Sequence, residues 1–149
     1  MTSGADPLPG NSQVQREAET LLVAWLGELI GCVLVPKRIT LPDGSWLELD
    51  GYCADPLVIC EAWAHQGQPK SAQKMKVMND AMKLLAARRV VGDDARAILL
   101  FADEAAASRF RSGTWHASAL ASAAIEIHVA VLPERVRESI RAAQERQYR

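Results

Sequence analysis

The segment 46–64 constrains this chain more than any other, because turn signals bound it and split it. Pro42-Asp43-Gly44 precedes it, and Ala54-Asp55-Pro56-Leu57 reverses the chain at its centre. The two halves, 46–53 and 58–64, therefore read as the strands of one antiparallel hairpin, with Leu47, Leu49, Gly51 and Cys53 sharing a face. A hairpin centred on that turn pairs Tyr52 with Ile59 and Asp50 with Glu61. Directly opposite residues lie on one face, so two carboxylates meet. Side-by-side carboxylates near a sheet surface are costly unless a cation sits between them, and the pair reads as a divalent-metal site.

Hydropathy patterning supplies the remaining elements. Residues 13–30 form an amphipathic helix capped by Asn11 or Ser12, with Val14, Ala18, Leu21, Leu22, Trp25, Leu26 and Leu29 at helical spacing. A short strand is expected over 38–41. A loop over 65–69 leads into a helix over 70–89, whose apolar stripe reads as Met75, Met78, Met82 and Leu85, broadened by Val77, Ala81 and Leu84. Residues 95–102 are a near-continuous apolar run, as in a buried central strand. Helices over 103–111 and 114–123, a strand over 125–132 and a terminal helix over 135–146 complete the order. That order implies an α/β domain with a mixed sheet between helices.

The chain has 149 residues, enough for one domain over 13–149, behind a polar, Pro- and Gly-broken segment 1–12 that reads as a flexible tail without signal-peptide character. With no apolar run long enough for a bilayer, no membrane partner is expected and the location reads as cytoplasmic. The net charge of -1 does not point to nucleic acid, but its distribution is suggestive. Lys70, Lys74, Lys76, Lys83, Arg88 and Arg89 stand against Asp80 alone, and further arginines follow Pro133. Solvated helix faces are the plainer account of those charges. Cys32, Cys53 and Cys60 are odd in number and lack C-x-x-C spacing, so buried small side chains explain them better than a disulfide or zinc site.

With these elements in place, the chain resembles the PD-(D/E)XK nuclease superfamily, the restriction-endonuclease-like fold, over roughly residues 14–132. The resemblance implies an αβββαβ core with C-terminal elements and a Mg²⁺ (or Mn²⁺) site. Its ligands would be an acid on the first helix, here Glu17, with Asp50 and Glu61. It also implies a glutamine or lysine on the helix after the third strand, matched by Gln73, Lys74 and Lys76. The family's lysine, two residues after the third-strand acid, is replaced by Trp63. His65, or Lys70, Lys74 or Lys76 from the following helix, would have to supply the displaced function.

The activity implied is Mg²⁺-dependent hydrolysis of phosphodiester bonds, with DNA as partner and a homodimer as one arrangement open to it. Asp50 and Glu61 would be direct ligands and Glu17 an outer one. Gln73 would fix the nucleophile or a phosphate, and Lys76 or Lys74 would be the displaced cation. The alternative is a catalytically silent nuclease-fold module that binds nucleic acid or a protein, a reading that Trp63 favours. An assembly subunit is a third. Plainer roles exist for each residue: Asp50 as a strand terminator, Glu61 on an exposed sheet face, Asp80 and Lys83 as an i,i+3 surface pair without catalytic role. No G-x-S-x-G, P-loop or dinucleotide fingerprint is present.

Overall fold

The computed structural model describes residues 11–147. Residues 1–10, most of the segment read as a tail, lie outside them, and Asn11 and Ser12 already belong to the first helix. The chain runs α1 (Asn11–Ile30), β1 (Val35–Thr40), β2 (Trp46–Ala54), β3 (Leu57–Trp63), α2 (Ser71–Val91) and β4 (Arg96–Phe101). It continues through α3 (Glu104–Arg111), α4 (Trp115–Ser122), β5 (Ile125–Val129) and α5 (Glu134–Gln147).

The five strands form one mixed sheet in chain order. β1, β2 and β3 pair antiparallel, and β3, β4 and β5 pair parallel. Parallel neighbours need crossovers, supplied by α2 between β3 and β4 and by α3 with α4 between β4 and β5, all packed on one face of the sheet. Even-numbered residues of β3 and β4 (Val58, Cys60, Ala62, Ile98, Leu100) pack under α1 and α5. Odd-numbered ones (Ile59, Leu99, Phe101) pack with the apolar side chains of α2, α3 and α4. Both faces are covered, which is why these strands read as apolar runs rather than alternating ones. The mixed α/β architecture expected from the element order is observed. Among the described residues, no helix is long and apolar enough to cross a membrane.

Three expectations need correction. β1 starts earlier than expected, because Val35 pairs with Tyr52. The single face drawn through Leu47, Leu49, Gly51 and Cys53 is broken by a β-bulge. Val35 pairs with Tyr52 but Lys37 pairs with Leu49, so β2 spends an extra residue at Asp50-Gly51 and its alternation inverts there. Leu49 and Tyr52 therefore join the α2-side core, while Gly51 turns toward α1. A Cβ at Gly51 would lie 2.6 Å from Cys60 Sγ and 3.1 Å from Val23, so only hydrogen fits. The apolar stripe of α2 is also rotated from the expected one. Val77, Ala81, Leu84 and Ala87 are buried, whereas Met75 and Met82 are 73% and 64% exposed. That rotation carries Lys76, Asp80 and Lys83 toward the β2–β3 hairpin.

Candidate carboxylate–lysine site

The β2–β3 ladder follows the expected register from Ala54↔Leu57 through Tyr52↔Ile59 to Gly51↔Cys60, and no further. At the next step side chains replace backbone. The Asp50 N–H donates to Glu61 Oε2 at 2.8 Å, and the Ala62 N–H donates to Asp50 Oδ2 at 2.9 Å. Each carboxylate thus takes the place of a carbonyl on the opposite strand, and the hairpin opens around the pair. The bulge at Asp50-Gly51 makes this possible, since it frees Asp50 from strict alternation.

The opening leads to a pocket of about 320 Å³. Glu19 comes from α1, Asp50 from β2, Glu61 and Trp63 from β3, and Lys76, Asp80 and Lys83 from α2. Four carboxylates and two lysines line it, so with every group ionised the wall carries a formal charge of -2. Lys83 Nζ forms an ion pair with Glu61 Oε1, whose side chain is only 1% exposed. Glu61 is therefore gripped from both sides, by the Lys83 ammonium and by the Asp50 amide.

Burial first, and the neighbouring negative charges after it, raise the carboxyls of this pocket. Burial pushes the Glu61 carboxyl up to about 8, and the neighbouring Asp50 charge adds to the rise, against the pull of Lys83. Burial, then Asp50 and Asp80, pushes Glu19 up to about 8, while Arg16 and Lys83 oppose. Asp80 rises to about 6, chiefly through burial, with Lys83 opposing. Burial alone would lower Lys83, but its hydrogen bond to Glu61 and the charges of Glu61, Asp80 and Asp50 hold it above its ordinary value. The carboxylates compete for too little positive charge, and the lysine stays an ammonium.

Of the residues named from the sequence, Asp50, Glu61 and Lys76 meet at this pocket. Glu17 does not: it is exposed and accepts from Gln13 Nε2 at 3.2 Å, while Glu19 occupies the α1 position at the site. Lys74 is not among the pocket-lining residues. Gln73 is engaged elsewhere, its Oε1 accepting from the Lys70 N–H at 2.8 Å and its Nε2 lying 2.8 Å from His65 Nε2. That fixed amide makes Nε2 of His65 the acceptor from Gln73, and the Gln15 amide nitrogen lies 3.2 Å from Nδ1 on the other side of the ring. Burial, then Lys76 and Lys70, lowers the His65 pKa, so His65 is a neutral ring rather than a substitute cation. Trp63 stacks on that ring at 5.2 Å and lines the pocket, and its indole N–H is buried without a partner among the described residues.

The sequence reading missed Glu19 and Lys83. Signals for both were present: Glu19 stands four residues before the buried Val23, and Lys83 stands seven after Lys76 on the same helical face. Among the described residues, no group of three or more His, Cys, Asp or Glu side chains is arranged as a ready metal cage. No family model, curated protein or solved structure matches the chain.

Proposed function

We propose that this chain is a Mg²⁺- or Mn²⁺-dependent nuclease of restriction-endonuclease-like fold, hydrolysing phosphodiester bonds in DNA. The observation that carries the reading is the opened hairpin, where Asp50 and Glu61 replace ladder bonds beside Glu19, Asp80 and the ammonium of Lys83. The donor chemistry is that of a hard dication site, carboxylate oxygens from three elements that an ion would have to draw together, with two of the carboxyls raised to about 8 by burial and by neighbouring acids. Asp50, Glu61 and Glu19 would hold the ion, with Glu19 in the role first expected of Glu17. A divalent cation bound there supplies a water of lowered pKa and screens charge on the phosphoryl group.

The chain's own residues do the rest. Lys83 takes the part of the lysine that Trp63 displaces from the strand. Its raised pKa keeps it protonated at neutral pH, so it acts through positive charge at the developing phosphorane and not as a general base. Asp80, one turn before it, helps hold that ammonium protonated. Lys76 adds a second cation at the same wall. Gln73 and His65 lock the 65–70 loop and leave the nucleophile to other groups.

A second reading has its own observation. The Lys83 ammonium is paired with Glu61, the arrangement expected of a nuclease-fold module that binds its partner and cleaves nothing. Incubating linear DNA with Mn²⁺ separates the two. The nuclease reading expects cleavage by the wild type and none by Asp50→Asn, with unchanged circular dichroism. Full activity in Asp50→Asn overturns that reading. Failure of the wild type to cleave, together with no metal-dependent rise in melting temperature, favours the silent module.

A further inference from the structure

A second hollow, of about 340 Å³, shares Glu19 and Asp50 with the carboxylate pocket and continues it along the other side of β2. Its lining changes character. Thr20, Val23 and Ala24 of α1 face Leu34, Pro36 and Leu49, and Arg16 stands among them at the Glu19 end. Glu48 closes the far end and is held by Arg38 at 3.2 Å. Beyond it on the same face of β2 lies Trp46, 56% exposed, with the Arg38 guanidinium 3.9 Å from its ring centroid. An apolar slot next to a phosphodiester-cleaving centre, followed by a cation-backed indole open to solvent, is a poor fit to a closed duplex. It suits bases that have left a duplex.

We infer that the substrate is an unpaired DNA strand. The scissile phosphate lies at Asp50, the adjoining base enters the slot between α1 and the β1–β2 hairpin, and the next base stacks on Trp46. The slot volume is at the lower end of the range for small-ligand pockets, enough for one nucleotide and too little for a base pair with its backbone. Arg16 stands beside Glu19 and Arg38 pairs with Glu48, so the path's two arginines offset two of its three acids and leave Asp50 for the metal-bound phosphate. The inference rests on the nuclease reading for the placement of the phosphate.

The test compares a short fluorescein-labelled oligo(dT) with a blunt hairpin duplex, by anisotropy in Ca²⁺, on the full chain. The expected result is tighter binding of oligo(dT). Trp46→Ala should weaken it about tenfold, the usual worth of one base stacked on an aromatic ring. Ala24→Phe, on an exposed position of α1, should weaken it similarly by filling the slot. Trp115→Ala, on the exposed α4 at the opposite sheet edge, should leave it unchanged. Quenching of tryptophan fluorescence by oligo(dT) should be reduced in Trp46→Ala and persist in Trp115→Ala. Equal or tighter duplex binding, or unchanged oligo(dT) affinity in both Trp46→Ala and Ala24→Phe, overturns the inference. Cleavage in Mn²⁺ reports separately on the nuclease reading. Trp46-dependent binding without cleavage sinks that reading alone, and cleavage without Trp46 dependence sinks only the strand preference.

Discussion

Lys83 and Glu61 show how much a single buried charge depends on its partner. Glu61 lies 1% exposed in an apolar strand, and the Lys83 ammonium is the cation paired with it. Lys83→Met should therefore destabilise the fold by about 2 kcal/mol at pH ~9.5, where Glu61 is ionised and Lys83 still protonated, less than for a fully buried pair because Lys83 is partly open to water. Near pH 5 the cost should shrink, because Glu61, with its pKa raised to about 8, is protonated there and has no charge to neutralise. Urea unfolding at the two pH values checks this, and an equal cost at both would refute it. The same variant should lose Mn²⁺-dependent DNA cleavage at either pH. Glu19 offers a contrasting case, since burial and the charges of Asp50 and Asp80 oppose its ionised form. Glu19→Gln should raise the melting temperature above pH 8 by roughly 3 °C, equivalent to about 1 kcal/mol for a domain of this size. At pH 4 it should change little.

The decisive element is the bulged strand β2. Asp50-Gly51 adds a residue opposite β1, turning Asp50 into the hairpin opening and Gly51 down onto Cys60. The absence of a side chain at Gly51 is thus a packing requirement, with Cys60 Sγ 2.6 Å from where a Cβ would stand. Gly51→Ala should cost about 2 kcal/mol by overpacking. Adding Cys60→Ala should recover part of that loss, because the second change removes the sulfur the first collides with. A double-mutant cycle by thermal or urea unfolding measures the coupling, and strict additivity would refute the contact. The strands themselves were legible, including the Tyr52↔Ile59 register, because two turn signals fix the hairpin from both sides. The bulge was not: Asp-Gly reads as a strand end from sequence, and only the pairing of β1 with β2 reveals an extra residue. The rotation of α2 was hidden for a similar reason. Methionine is apolar by composition, yet Met75 and Met82 face solvent so that Lys76, Asp80 and Lys83 can face the hairpin.

At the scale of the whole molecule, α1, the β2–β3 hairpin and α2 gather acids that no single element holds. Glu19, Glu61 and Asp80 have pKa values raised to about 8, 8 and 6. The folded chain therefore keeps protons that the unfolded chain releases near 4, and metal-free stability should fall as pH rises from about 4 to 8. Lys83 does not offset this slope, because its raised pKa places the loss of its contribution above that window. Melting temperatures measured across the range, with and without Mn²⁺, check the expectation: a fall without the ion and a flatter profile with it. A flat metal-free profile would refute the crowding of charge. By itself the sequence determined the element order and the hairpin register as far as Gly51↔Cys60, because turns and alternation act over a few residues, whereas Asp50 and Glu61 meet by way of the bulge. Only the tertiary structure decided which acid of α1 and which lysine of α2 join them. Two residues along a helix point to nearly opposite sides, and which side turns inward is set by packing against strands distant in the chain.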